Sequence, residues 1–264
     1  MRIERERRDF LIKSASFLLG SVLGLNGFSK AIAFGNPQDA CFPDATLALI
    51  IDDIGFSCRR ARDFLDLNVP LTFSILPRLK KSYDLALEIH DRGHEIMLHQ
   101  PMEPCDPTID PGPGALYVGY NAERIVEIME ENIFGLPYIT GVNNHMGSKF
   151  TESRNEIREF LGIIKKTGFF FIDSLTTKRS RAYQTAKKLQ IGTARRNVFL
   201  DNQQTESAVI YQLSRLKIIA KKYGCAIGIG HPFPETARAI GHFVKDLEAS
   251  GITLVHASNL ICPT

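Results

Sequence analysis

Seven short apolar runs, separated by amphipathic stretches, constrain the fold of this chain more than any other feature. They are Leu47–Asp52, Leu71–Leu76, Glu95–Leu98, Tyr138–Val142, Phe169–Ile172, Ala226–Ile229 and Ile252–Val255. Each is short, rich in apolar and often β-branched residues, and bounded by Gly, Pro, Asp or His. That is the pattern of strands buried on both faces in a parallel sheet. The intervening segments carry helical periodicity: Ser57–Leu67, Ser82–Arg92, Ala122–Phe134, Arg154–Thr167, Thr205–Tyr223 and Glu235–Ser250. Gly93, Gly135, Gly168, Gly224 and Gly251 stand where a left-handed residue is expected to end a helix.

Strands alternating with helices over residues 45–264 predict an α/β fold in one domain, closed as a doubly wound sheet or as a (β/α) barrel. Neither G-x-G-x-x-G nor G-x-x-x-x-G-K-[ST] follows the first run, which argues against a nucleotide-binding sheet. The stretch from Pro101 to Tyr120 is rich in Pro and Gly and reads as a long loop after the third strand.

Residues 1–33 read as an export address rather than as part of the fold. Arg7-Arg8-Asp9-Phe10-Leu11, a weakly apolar run from Ala15 to Leu25, and a closing Ala31-Ile32-Ala33 resemble a bacterial twin-arginine signal. The alternative is a basic amphipathic helix or an uncleaved anchor. The run is too short and too Gly- and Ser-rich for a stable membrane span, which needs about 20 apolar residues. The expected destination is the periplasm or the cell exterior. Residues 34–44 read as a flexible connection.

Charge supports the same division. The whole chain has 32 basic and 29 acidic residues, and the first 33 residues hold six and three of them, leaving 26 of each. A neutral mature chain is a poor candidate for binding nucleic acid or an anionic membrane. The five cysteines show no C-x-x-C spacing, so a cysteine metal site is not expected. Cys41 and Cys262, near the two ends of the mature chain, are the candidate disulfide pair in an oxidising compartment.

Chemistry collects at the ends of the apolar runs. The first ends in Asp52-Asp53, the third at His99, and the fourth leads into Asn143-Asn144-His145; the fifth ends at Asp173 and the sixth at His231. In either α/β closure, the C-terminal strand ends form the active-site face. Imidazoles with carboxylates suit a divalent metal, zinc first, with an open position for water and a second carboxylate to take that water's proton. Adjacent residues such as Asp52 and Asp53 point to opposite faces unless the strand end is twisted. Asp201 is a further strand-end carboxylate, equally well explained as a helix cap. A serine triad is not supported, because G-x-S-x-G is absent. A two-carboxylate glycosidase would leave three strand-end histidines unexplained.

These residues also carry a family resemblance. Leu49-Ile50-Ile51-Asp52-Asp53-Ile54-Gly55 resembles the T-F-D-D-G opening of NodB-like polysaccharide deacetylases. Arg92-Gly93-His94-Glu95-Ile96-Met97-Leu98-His99 is similar to their G-H-E-I-G-N-H segment. The segments Leu98–Pro104, Gly141–Thr151 and Gly228–Thr236 resemble the divergent polysaccharide deacetylases in particular. The resemblance implies a metal-dependent deacetylase on a distorted (β/α) barrel, acting on an acylated polysaccharide or peptidoglycan-type substrate. In it Asp52 is the general base, Asp53 and His99 are metal ligands, and His231 is the acid that protonates the leaving amine. Asp173 occupies the place of the acidic residue that orients that histidine. The family's H-x-x-x-H motif puts a second histidine four residues after His99, where this chain has Glu103. Either Glu103 ligates the metal or His145 does, and His145 is the preferred ligand. The family's R-x-P-x-G motif is replaced by Asn143–Gly147, and no D-x-x-D-W motif exists because the chain lacks Trp. The alternative functions are a catalytically silent envelope protein on the same fold, or an enzyme cleaving another C–N bond.

Overall fold

The computed structural model describes residues 45–261, so the expected export signal, the 34–44 connection and the Cys41–Cys262 pairing fall outside the described residues. The first half of the chain contains β1 (Ala45–Ile54), α1 (Cys58–Leu65), β2 (Thr72–Ile75), α2 (Ser82–Asp91), β3 (Glu95–Met102), α3 (Ala122–Phe134) and β4 (Ile139–Met146). The second half contains α4 (Arg154–Thr167), β5 (Phe170–Asp173), α5 (Ala182–Lys188), β6 (Thr193–Arg195), β7 (Val198–Phe199), α6 (Glu206–Tyr223), β8 (Cys225–Gly230), α7 (Pro234–Lys245) and β9 (Ile252–Val255).

Every named strand pairing is parallel, and the sheet runs β6-β5-β4-β3-β2-β1-β8-β7. The first half of β1 also pairs with β9 and its second half with β2, so one edge of β1 serves two strands. The sheet curls into a half-barrel ringed by helices, the distorted (β/α) barrel that the motifs imply.

Period-two alternation within these strands creates two distinct cores. Leu47, Leu49 and Ile51 of β1 face outward into the large cluster shared with the helices. Ala48 and Ile50 face inward and meet Met97, Phe170, Ile172, Ile227 and Ile229, with Ala257 and Leu260 closing the cluster. Burial on both faces is why β1 and β8 lack a polar phase in the sequence, whereas β2 buries Thr72 and Ser74 on one of its faces. Gly141 lies on the inner face because a Cβ there would stand 2.5 Å from the Phe170 ring. Continuing the same phase along each strand puts Asp52, His99, Asn143 and His231 on the inner surface above that plug. The site is therefore an extension of the core's own geometry.

Local signals explain most boundaries. Ser57, Asn121 and Thr205 accept from the backbone N–H groups of Arg60, Arg124 and Ala208, capping α1, α3 and α6. Gly168 and Gly224 take left-handed conformations after α4 and α6. Gly135 does not, with φ −74°; the chain tightens through Leu136 N–H to Ile133 C=O and reverses at Tyr138, φ 62°.

Other boundaries differ from the sequence reading. The expected seven strands are nine, because β6 and β7 span three and two residues and are too short to show a period. The seven-residue helix α5 has the same limitation. Strand β3 runs four residues past Leu98, through Pro101, since His99–Met102 pairs with Asn143–Met146 of β4. Pro101 contributes only its carbonyl, which accepts from Leu116 N–H. Helix α7 stops at Lys245, and a 3-10 turn at Glu248–Ser250 completes the segment read as one helix.

Candidate metal-centred active site

Asp52 and Asp53 reach the same pocket because β1 breaks its pleat there. Asp53 has φ 58°, and the β1–β2 register shifts between Ile51 and Ile54. A bulge of this kind re-aims one side chain at a strand end. It resolves the problem of adjacent residues pointing to opposite faces: His99 Nε2 lies 3.6 Å from Asp52 Oδ2 and 3.2 Å from Asp53 Oδ1. Left-handed geometry in a non-Gly residue is strained, and Asp tolerates it better than most.

His145, at the end of β4, completes a cluster. Its Nδ1 lies 2.9 Å from Asp53 Oδ1 and 3.1 Å from His99 Nε2. Asp53, His99 and His145 are the one group of three such side chains among the described residues whose ligand atoms lie within 4.8 Å of one another.

The donor chemistry fits a divalent metal. Asn143 Nδ2 donates to Asp52 Oδ1 at 2.8 Å, which leaves Asn143 Oδ1 to accept from His99 Nδ1 at 2.7 Å and from Ser74 Oγ. With a proton held on Nδ1, His99 would offer its Nε2 lone pair to a bound ion, the usual outer-shell arrangement for a ligating imidazole. Asp53 Oδ1 is buried without a hydrogen-bond partner. Ligands about 2.0–2.1 Å from a tetrahedral ion stand about 3.3 Å apart. The observed separations of 2.9, 3.1 and 3.2 Å are near that spacing.

Asp52 is buried, and burial raises its pKa, opposed by the charges of His99 and His231 and the Asn143 hydrogen bond. Burial would also raise Asp53, but the neighbouring imidazole of His145, with those of His99 and His231, holds it well below the usual carboxylate range.

His231, just beyond β8, faces the cluster with Nε2 3.9 Å from Asp53 Oδ2. Its Nδ1 contacts Asp201 Oδ1 at 2.9 Å, and its backbone N–H donates to Asp201 Oδ2 at 2.6 Å. Thr236 Oγ1 also donates to Asp201 Oδ2, at 2.8 Å. Burial works against protonation of His231, but Asp201 and then Asp53 and Asp52 push its pKa up to about 10.

One of the sequence expectations needs correction, and the alternative ligand drops out. Asp173 does not reach His231: its Oδ1 accepts from Leu175 N–H, and its Oδ2 accepts from Ser180 Oγ and Tyr183 N–H, organising the loop into α5. The histidine's partner is Asp201, because β7 pairs directly with β8 whereas β5 lies far along the sheet. Glu103 is not in the cluster either. It pairs with Lys149 at 2.7 Å and accepts from Val118 N–H at 2.8 Å, pinning the loops after β3 and β4.

The sequence reading also missed two neighbours of the cluster. Asn143 had no assigned role, although its inward phase one step before His145 was a usable signal. Arg196, after β6, donates from Nε and Nη2 to the carbonyls of Ser174 and Leu175 and lies 5.0 Å over the Phe199 ring. Burial lowers its pKa to about 10, against the charges of Asp173 and Asp52. It thus sets a guanidinium beside the site in a chain that lacks the family's R-x-P-x-G arginine.

The barrel and its strand-end cluster define a NodB-type scaffold with a pocket suited to a metal ion. The chain belongs to the divergent polysaccharide deacetylase family, whose sequence profile matches residues 49–261. It is 30% identical over 234 residues to the uncharacterized protein YibQ of Escherichia coli K12, covering 89% of this chain and 72% of that one. Its fold is similar to the crystal structure of an uncharacterized protein from Agrobacterium tumefaciens C58, with 25% identity, TM-score 0.79, and coverage of 83% and 89% of the two chains. A more distant likeness, at 15% identity and TM-score 0.51, is to a CE4 family pseudoenzyme from Bacillus anthracis, covering 84% of this chain and 66% of that one.

Proposed function

We propose that the protein is a metal-dependent deacetylase that removes acetyl or related acyl groups from an amino-sugar polymer, such as a cell-wall glycan. The observation that carries this reading is the convergence of Asp53, His99 and His145, with Asp52 on one side and the His231–Asp201 pair on the other. A divalent cation, zinc being our choice for two imidazole nitrogens and a carboxylate, would lower the pKa of a water molecule and polarise the acyl oxygen.

The chain's own groups divide the proton traffic. Asp52 has Oδ1 committed to Asn143, so Oδ2 is the oxygen free to accept the water's proton. Asp201 fixes the proton of His231 on Nδ1 and stabilises the imidazolium, so that Nε2 can donate to the departing amine. The N-terminal Arg7-Arg8 pattern supports assignment to the periplasm or the cell exterior.

A silent binding module is the competing reading, favoured by Glu103 standing where the family motif has histidine. Acetate release from N-acetylated glycans by the metal-loaded protein separates the two. We expect release that is lost in Asp52→Asn with the metal retained. If the wild type carries its metal and releases no acetate from any glycan tested, the deacetylase reading fails.

A further inference from the structure

From Ser174 through Leu200 the chain has seven basic residues and no Asp or Glu, although residues 34–264 together are neutral. This segment leaves β5 at the site, forms the loop to α5, and returns through β6 to β7. Lys178, Arg179 and Arg181 lie in the loop after β5, and Arg195 and Arg196 at the end of β6, on the same face of the barrel as Asp173. The first three are solvent-exposed, and Lys178 makes no ion pair with a described residue.

The loop that carries these charges is built rather than free. Asp173 holds it through Leu175 N–H, Ser180 Oγ and Tyr183 N–H, while Thr176 Oγ1 donates to Met146 C=O at the end of β4. Arg181 N–H donates to Thr151 C=O, and its Nε to Glu152 C=O. Glu152 is the carboxylate facing this group: it pairs with Arg179 at 3.0 Å and accepts from Thr177 Oγ1. Glu152 serves Arg179 and Arg181, and buried Asp173 faces Arg196, so two carboxylates stand against the seven basic residues of the segment. Arg196 has Nε and Nη2 spent on main-chain carbonyls, with Nη1 uncommitted among the described residues. The hydroxyl of Ser174, beside it, is buried without a partner.

We infer that the β5–β6 side of the rim recognises an anionic group on the substrate, so that the preferred glycan is an acylated sugar polymer bearing carboxylates or phosphates rather than a neutral one. This inference deepens the deacetylase reading and rests on the same pocket. A basic wall beside a carboxylate-lined site orients an anion away from Asp52 and Asp53 and raises its local concentration, an effect that salt screens.

The test is binding, measured on metal-loaded Asp52→Asn protein so that no probe turns over. Three probes are compared: chitohexaose, a peptide-free strand of alternating N-acetylglucosamine and N-acetylmuramic acid, and an N-acetylglucosamine oligomer bearing phosphate. We expect at least one anionic probe to bind about tenfold or more tightly than chitohexaose at low salt, with the advantage shrinking several-fold as ionic strength rises. The carboxylate and phosphate arms identify which anion is read. In a Lys178→Gln/Arg179→Gln/Arg181→Gln background the advantage collapses toward unity while chitohexaose affinity holds, and Arg179→Lys/Arg181→Lys keeps it. Equal affinity for all three probes overturns the inference. So does an advantage untouched by the triple substitution, or stronger capture by phosphatidylglycerol-rich vesicles than by any glycan, which would make the patch a membrane contact. Acetate release by the wild type reports separately. Release without charge preference defeats only this inference, and charge preference without release defeats only the deacetylase reading.

Discussion

The two ends of the barrel interior are made by the same strands and behave in opposite ways. At the lower end, Ala48, Ile50, Met97, Ile227 and Ile229 pack against one another and against Ala257 and Leu260. One inward step further along, the same strands carry Asp52, His99 and His231: Asn143 of β4 bonds to both Asp52 and His99, and His231 bonds to Asp201. The lower end gains from dispersion and exclusion of water, so any apolar residue of the right volume serves. At the upper end each buried polar atom must find a partner, and replacing one member leaves others uncompensated. The lower end thus makes the barrel stable, and the upper end holds chemistry on it.

Substitutions in each end sharpen that contrast. The largest expected effect is on metal content: Asp53→Ala or His99→Ala should drop the bound ion from near one equivalent to near none by elemental analysis. Glu103→Ala should keep it, since that side chain belongs to an ion pair with Lys149. Retention in Asp53→Ala would mean the ion sits elsewhere. Next comes Asp52→Asn, expected to cut acetate release by about 10²–10⁴-fold with the metal retained, the usual worth of a general base.

Ile229→Ala, in the lower plug, should cost about 2–5 kcal/mol in denaturant unfolding and leave metal stoichiometry in the folded fraction unchanged. If it released the metal without a stability loss, the two ends would not be separable. Asp201→Asn and Asp173→Asn divide the corrected roles. In metal-free protein, Asp201→Asn should move the NMR titration of His231 down from about 10 by a unit or more, whereas Asp173→Asn should leave it in place.

The smallest effect belongs to His94, near the lower end. Burial, with the charges of His256 and Arg92, lowers its folded pKa below the ordinary 6.5. Below about pH 6.5 the unfolded chain therefore binds more protons than the folded one, and stability falls on acidification. Replacing His94 with Gln should flatten the stability profile below about pH 6.5. An unchanged slope would remove His94 as a contributor.

Much of this was legible in the primary structure, and the failures have specific causes. Parallel strands buried on both faces leave continuous apolar runs, so their existence and order could be read directly. The polar residues closing those runs marked the functional face, because strand direction alone fixes which end of a parallel sheet they occupy. Asp173 and Asp201 show where such reading stops: both close a short strand, and nothing local says which one neighbours β8. Strand order across the sheet decided that His231 meets Asp201. Glu103 and His145 likewise could not be told apart locally: in the fold His145 stands against Asp53 and His99, while Glu103 pairs with Lys149. The convergence of Asp52 and Asp53 depended on a left-handed residue and a bulge that no residue pattern announced. Periodicity and strand-end chemistry are local properties and were determined by the sequence alone. Partner choice is a property of pairing between distant segments, and only the tertiary structure decides it.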